Sequence, residues 1–182
     1  MNSTRFFWKS KKGTAAIEFA VIAPLFITFI AGLFELAMFM FLNVKLQVLA
    51  STIANNVTIQ QTASRTNIQG MLGVEDTITY PFKISNKGGI VVTQIQPTAQ
   101  NPNIMTISWQ VASGAVSRLG STGAVPVNVP GNITLTAGQS MIVTEVFYNY
   151  APIIFGIFIT ARPLYTTAVF LPRQGTLSTL NP

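Results

Sequence analysis

A long uncharged segment near the N-terminus constrains this chain more than any other feature. Residues 19–34 carry no charged side chain, and no Lys or Arg occurs from Gly13 to Val44. A helix needs about 20 predominantly apolar residues to cross a bilayer core. A helix of a small soluble domain is seldom apolar on every side over such a length. The segment therefore predicts a transmembrane helix over residues 14–42.

The basic residues that precede this segment predict its orientation. Four of the 11 Lys and Arg residues lie within the first 12 positions, namely Arg5, Lys9, Lys11 and Lys12. Basic residues beside a span favour the cytoplasmic side, so we expect a cytoplasmic N-terminus and an extracytoplasmic C-terminal part. The same cluster supplies most of the net charge of +6. Its position indicates contact with membrane lipid, and no nucleic-acid partner is expected, because a nucleic-acid protein spreads its basic residues over a docking face.

A cleaved secretory signal is the alternative explanation of a basic start followed by an apolar run. Val48, Leu49 and Ala50 place small residues before Ser51, where such a signal could be cut. Secretory signals, however, have an apolar region of only about 7–15 residues. The apolar region here is longer and contains Glu18 and Glu35. A retained anchor is therefore the favoured interpretation.

The residues after the span continue a helical pattern with a narrower apolar side. Apolar residues recur at spacings of three and four, at Leu42, Leu46, Leu49, Ile53 and Val57. This spacing is typical of one face of a helix. We expect an amphipathic extension over residues 43–64, in a helix that continues from Thr14 to about Ala63. Its apolar stripe needs a partner, either the later domain of the same chain or neighbouring subunits.

The remainder of the chain, residues 65–182, predicts a small β-rich domain outside the cytoplasm. Strands are predicted near Thr77–Lys83, Ile90–Ile95, Ile104–Val111, Met141–Tyr150 and Leu164–Leu171, from their β-branched and aromatic residues. The fold class is therefore α+β, a long N-terminal transmembrane helix followed by a small antiparallel β-rich domain. We expect this domain to fold without the anchor, although with marginal stability. The apolar run Ile153 to Ile159 is too short to span a membrane, and we expect it to pack on the helix or to touch the membrane surface.

The chain offers little material for catalysis or metal binding. It has no His and no Cys, and its only acidic residues are Glu18, Glu35, Glu75, Asp76 and Glu145. The missing imidazoles and thiols exclude the usual zinc ligands and the commonest nucleophile–base pairs. No glycine-rich phosphate loop is present. We predict no catalytic residue, no cofactor and no metal, and a Ser–Lys hydrolase is the enzyme alternative that stays open.

Four stretches resemble a known family. Lys11 to Pro24 is similar to the start of TadE-like pseudopilins, minor components of the tight-adherence (Tad) pilus within the type IV pilus superfamily. Gly32 to Ala37 resembles that family's Gly-x-x-Glu-x-small motif, in which the last residue is small. Glu145 to Pro152 resembles its aromatic strand ending in Pro, and Leu171 to Arg173 resembles its Pro-Arg close. The N-terminal match is the most specific, and the later ones follow in the right order.

The resemblance implies a role for the residues around the start of the span. It implies a basic leader over residues 1–13 and cleavage by a prepilin peptidase between Gly13 and Thr14. Glu18 is then the fifth mature residue, where type IV pilins keep a carboxylate, and it can pair with the new amine of Thr14 on the same or a neighbouring subunit. Phe19 departs from the family, which often has Tyr at this position. The difference removes a hydroxyl and does not change the expected cleavage site.

The function that follows is a minor, non-enzymatic pseudopilin of a Tad-type pilus. We expect it in the bacterial inner membrane with a periplasmic C-terminal domain, and in the pilus or at the cell surface after assembly. Its expected partners are the prepilin peptidase, other pilin or pseudopilin subunits and inner-membrane lipid. A stand-alone membrane-anchored binding domain is the main alternative, and it would have no reason to be cut at Gly13.

Overall fold

The computed structural model describes residues 13–154, 156 and 158–182. The elements follow in the order α1 (Thr14–Thr58), β1 (Ala63–Ser64), α2 (Arg65–Leu72), α3 (Glu75–Ile78), β2 (Gly88–Pro97), β3 (Met105–Ser113), a 3₁₀ turn (Pro130–Asn132), β4 (Met141–Tyr150), β5 (Arg162–Phe170) and β6 (Leu180–Asn181). A long apolar helix thus precedes an antiparallel sheet. The predicted α+β class is confirmed.

Helix α1 runs without a break through 45 residues, including Pro24. The hydroxyl of Thr28 donates to the Pro24 carbonyl at 2.8 Å. The helix ends at Thr58, earlier than the predicted end near Ala63. The Thr58 hydroxyl donates to the Asn55 carbonyl at 2.8 Å, and side chains that bond to the local backbone in this way compete with helix continuation.

Four strands form the main sheet in the order β3-β2-β4-β5, and every neighbouring pair is antiparallel. These are the strands predicted from β-branched and aromatic residues, and all four are confirmed, with the predicted bounds of β4 reproduced in full. A register shift between Gln94 and Ile95 marks a bulge in β2. The short strands β1 and β6 pair in parallel and bring the C-terminal end of the chain beside Ala63.

The strand predicted near Thr77–Lys83 is wrong. This segment contains the end of the short helix α3 followed by turns. The buried Thr79 hydroxyl donates to the carbonyl of Glu75 at 2.8 Å and lies 3.0 Å from the carbonyl of Phe82. Pro81 has no N–H to give to a ladder. Local side-chain bonding and the proline therefore override the β-branched pattern.

The chain divides into two compact units. The first comprises the described residues up to Phe39 together with those of Pro152–Thr160, and the second comprises Met40–Ala151 and Ala161–Pro182. The division of the chain into a span, an extension and a domain at the predicted boundaries stays a prediction.

The second unit holds the buried core. One cluster gathers side chains from β2, β3, β4 and the loops around them, namely Ile95, Ile107, Leu119, Leu135, Met141 and Val143. The predicted apolar stripe from Leu42 to Val57 is also buried throughout. Arg173 fixes the end of α1 within this unit, since its backbone N–H donates to the Thr58 carbonyl at 3.0 Å and its guanidinium donates to the Asn55 side chain at 3.1 Å. The stripe therefore has its partner within this chain.

Candidate functional site

The part of α1 up to Phe39, called here the exposed half of α1, carries a long run of exposed large hydrophobic side chains. Its large side chains are mostly exposed, with Phe19 72% exposed and Leu25 70% exposed. Among the described residues, α1 is the one helix long and apolar enough to cross a membrane. Transferring apolar surface out of water is favourable, so the exposed half of α1 requires a cover that the rest of the described chain does not supply.

The predicted cleavage position lies at the start of α1. Gly13 is exposed and directly precedes the first residue of α1, Thr14. A Cβ atom at Gly13 would meet no other atom within 4 Å, so the fold itself does not require glycine there. The Gly13–Thr14 peptide bond therefore lies at the exposed start of the helix.

Glu18 lies one turn further along and is exposed. The first turn of α1 contains no acidic residue, so the positive end of the helix dipole has no carboxylate within that turn. Residues four apart share a helix face, with about 5–6 Å between their Cβ atoms. Thr14 and Glu18 stand in this relation.

The orientation residues Arg5, Lys9, Lys11 and Lys12 lie outside the described residues. The roles predicted for Gly13, Thr14 and Glu18 stay predictions.

Glu35 has an environment that the sequence reasoning missed. It is 1% exposed, and its Oε1 accepts a hydrogen bond from the backbone N–H of Ile153 at 3.0 Å. Through this bond the side chain holds the loop between β4 and β5. The signal available in the sequence was the apolar run from Ile153 to Ile159, which was expected to pack on the helix or to touch the membrane.

Gly32 completes the contact between α1 and this loop. A Cβ atom at Gly32 would come within 2.5 Å of the Phe158 ring. Glycine therefore lets the aromatic ring lie directly against the helix backbone. Gly32 and Glu35, both in the Gly-x-x-Glu motif, each hold one end of the same loop.

Glu145 is the second buried carboxylate that hydrogen bonds hold in place. Its oxygens accept from the Ser117 hydroxyl, from the Arg118 backbone N–H at 2.9 Å and from the Tyr165 hydroxyl at 2.9 Å. The Arg118 guanidinium lies 4.3 Å from the Tyr165 ring centre. Burial and the neighbouring Glu145 raise the pKa of Tyr165. These bonds satisfy the carboxylate and connect the loop after β3 to β4 and β5. Glu145 therefore contributes to the structure of the second unit.

Two further polar side chains of the described residues, Lys45 and Asp76, are engaged in hydrogen bonds. Lys45 donates from Nζ to the Ile78 carbonyl at 3.2 Å and lies 5.3 Å from the Phe41 ring centre, so it is engaged with backbone and ring. Asp76 accepts from the Ser85 backbone and hydroxyl at 3.1 and 2.6 Å, and these bonds lower the pKa of Asp76. No group of three or more His, Cys, Asp or Glu gathers among the residues that were described.

Comparison with known proteins finds a family match that covers most of α1. The family model of TadE-like proteins matches residues 13–55 of the 182-residue chain. No curated protein and no solved structure shows a significant match. The match begins at Gly13 and contains Glu18, Gly32 and Glu35. The resemblance predicted from the sequence is confirmed for this segment.

Proposed function

Starting from a TadE-like N-terminal segment, we propose that this chain is a minor pseudopilin of a Tad-type pilus. The family match over residues 13–55 and an anchor-like apolar helix support a Tad pilus component. The TadE-like pilus family is structural rather than enzymatic. In this proposal the chain resides in the bacterial inner membrane as a single-pass protein before it joins the pilus.

The exposed half of α1 is the observation that carries the proposal. Most of its large apolar side chains are exposed, which suits lipid before assembly and neighbouring helices afterwards. A stand-alone anchor would need lipid alone and would not need a carboxylate close to its start. Partners that cover this surface are inner-membrane lipid and other pilin or pseudopilin subunits.

A prepilin peptidase is the further proposed partner, with cleavage between Gly13 and Thr14. Cleavage would leave an ammonium group on Thr14 at the positive end of α1, which the helix dipole disfavours. Glu18, four residues along the same face, offers the compensating negative charge on the same subunit. In an assembled pilus the carboxylate of a neighbouring subunit could serve the same amine.

The proposed orientation has a cytoplasmic N-terminus, set by Arg5, Lys9, Lys11 and Lys12. The sheet and its loops then lie in the periplasm, and they reach the pilus or the cell surface after assembly. In that position they supply contacts to other subunits.

The mature N-terminus tests the proposal. The chain is co-expressed with its cognate prepilin peptidase, and the membrane-bound product is analysed by mass spectrometry. We expect a mature protein that begins at Thr14. The variant Gly13→Leu should keep its full length, because a bulky residue at the cleavage position blocks the peptidase.

Gly70→Leu is the matched control for this experiment. Gly70, like Gly13, would accept a Cβ atom without any neighbour within 4 Å, and it lies in α2, far along the chain from the cleavage position. The control should be cut as the unmodified chain is. A mature N-terminus that stays at Met1, or that lies at Ser51, would refute the pseudopilin proposal.

A further inference from the structure

We infer that the loop Pro152–Thr160, between β4 and β5, is a second lipid contact, which inserts into the extracytoplasmic interface of the membrane beside α1. The inference rests on the proposed function, because it requires α1 to cross the bilayer. The occupant of this surface is lipid acyl chain and headgroup at the membrane border.

The composition of the loop suits that border. No charged residue occurs from Ala151 to Ala161. Ile153 is 52% exposed and Phe158 is 51% exposed, and Ile154 is also open to the surroundings. Exposed apolar side chains on a connecting loop are costly in water, whereas at an interface they can insert about 5–10 Å into the boundary between headgroups and acyl chains.

Two contacts hold the loop against α1. The Ile153 N–H donates to Glu35 at 3.0 Å, and the Phe158 ring lies against the backbone at Gly32. The Glu35 carboxylate is thereby turned toward the loop backbone and is almost fully shielded. An acidic side chain that would otherwise face lipid thus satisfies a backbone donor, and the lipid-facing side of this region stays apolar.

The position of these contacts along α1 places the loop at the membrane border. At about 1.5 Å per residue, Glu35 lies about 31 Å along the helix from Thr14. The hydrocarbon core of a bilayer is about 30 Å thick. A span that starts near Thr14 therefore reaches the opposite border near Glu35. Irregular backbone is not tolerated in the lipid-exposed hydrocarbon core, so the border is the level at which this loop can meet lipid.

The apolar surface is continuous from helix to loop. A shallow cleft between them is lined by Phe29, Gly32, Leu33, Leu36, Phe158 and Ile159. Lipid that covers Leu33 on a membrane-spanning helix must also cover the adjacent Phe158. This continuity favours lipid over water as the surroundings of the loop.

Site-directed labelling of the full chain tests the inference, and the absence of native Cys makes single-cysteine variants direct to interpret. Three positions are compared, each labelled with bimane in phosphatidylcholine–phosphatidylglycerol vesicles: Ile154→Cys in the loop, Ile27→Cys in the span and Ser121→Cys in an exposed loop of the second unit. Phe158→Cys is a second loop variant. Quenching is measured with lipids brominated near the headgroup or deep in the acyl chain, and with iodide in the water.

We expect both loop labels to be quenched by shallow brominated lipid at least roughly two-fold more than the label at Ser121, because an interfacial element lies within about 5–10 Å of the boundary. They should also be shielded from iodide. The label at Ile27 should respond most to deep bromine, and the label at Ser121 should respond to iodide alone.

The alternatives give distinct results. Loop labels that respond to iodide as Ser121 does would overturn the inference, and loop labels shielded from both lipid and iodide would overturn it in favour of a protein contact. In either case, lipid quenching at Ile27 would leave the membrane anchor intact. If Ile27 also fails to respond to lipid, the anchor and the proposed function fail together with the inference.

Glu35 offers a matched pair of variants for the positioning role. Glu35→Gln keeps an oxygen that can accept from Ile153, whereas Glu35→Ala removes it. The loop label should keep its lipid quenching in the Glu35→Gln background and lose it in part in the Glu35→Ala background. Equal lipid quenching in both backgrounds would show that Glu35 does not hold the loop at the membrane.

Discussion

The two halves of α1 belong to one helix, yet they bury their apolar side chains differently. In the exposed half, Leu25 is 70% exposed, whereas in the part from Met40 to Thr58, called here the packed half, Leu49 is 0% exposed. The packed half carries polar residues between its apolar ones, so its apolar residues form a single stripe. The rest of the second unit, which contains the sheet, buries that stripe. The exposed half has no polar side. A helix that is apolar on nearly every side needs surroundings that cover it, and this supports the proposed cover by lipid and by other helices.

The two carboxylates of the apolar segment show the same contrast. Glu18 is exposed near the start of α1, whereas Glu35 is buried and holds a backbone N–H. The exposed Glu18 carboxylate is the one that the proposed pairing with the Thr14 amine uses. A carboxylate that is already bonded serves the fold of its own compact unit.

The largest expected effect concerns the packed half as a whole. A fragment that starts at Val44 should be far more stable than one that starts at Arg65, because the latter lacks the four large apolar side chains that this stretch buries: Leu46, Leu49, Ile53 and Val57. Burial of each contributes about 1.5–3 kcal/mol, and a domain has only about 5–15 kcal/mol in total. Thermal unfolding followed by circular dichroism compares the two fragments. Equal midpoints would show that the stripe is not part of the domain core.

The variant Glu18→Gln should affect assembly and leave membrane insertion unchanged. On translocon-insertion scales a carboxylate at the bilayer centre costs about 2.5–3.5 kcal/mol, and the apolar run outweighs this cost. In an assembled pilus the amine of Thr14 would be left buried without its partner, at a cost of about 3–5 kcal/mol. Incorporation into sheared pili should fall while the level in the membrane fraction holds.

The N-terminus of this variant must be determined in the same strain, so that a processing defect is recognised. Normal cleavage combined with unchanged piliation would remove Glu18 from the assembly mechanism.

Two matched Leu→Ala substitutions, one in each half of α1, compare the contribution of a buried and an exposed leucine to stability. Leu49→Ala should destabilise the second unit by about 2–5 kcal/mol, because it opens a cavity at a fully buried site. Leu25→Ala makes the same chemical change on an exposed residue and should leave the unfolding midpoint in detergent unchanged. A similar loss in both variants would contradict the division of α1 into an exposed half and a packed half.

The smallest effect is a pH dependence that only the second unit should show. The pKa of Tyr165 is raised above its ordinary value of 10.0, so the folded state favours the neutral phenol. Its contribution to stability is complete below about pH 10 and is lost as the pH rises above that value. The unfolding midpoint should therefore fall at high pH, and the fall should be shallower in Tyr165→Phe. A fall of unchanged steepness in Tyr165→Phe would exclude this residue as the cause. The exposed half contains no Tyr, and its insertion into vesicles should not change over the same pH range.

Much of the fold was predictable because it depends on local patterns. The uncharged run indicated the anchor-like helix, the spacing from Leu42 to Val57 indicated the buried stripe, and β-branched runs indicated the four strands of the main sheet. The same local character explains the error at Thr77–Lys83. There the side chain of Thr79 bonds to nearby carbonyls. Strand propensity does not take such local side-chain bonds into account.

Contacts between distant parts of the chain were not predictable in this way. The hydrogen bond from Ile153 to Glu35 joins residues 118 positions apart, and the parallel pairing of Ala63 with Leu180 is also long-range. The sequence indicated that Glu35 is an unusual residue in an apolar segment and that the run Ile153–Ile159 needs a cover. Periodicity describes which face of one element is apolar, but it carries no information on which other segment meets that face. Only packing in three dimensions joined the carboxylate to the loop and gave Gly32 and Glu35 a shared structural role.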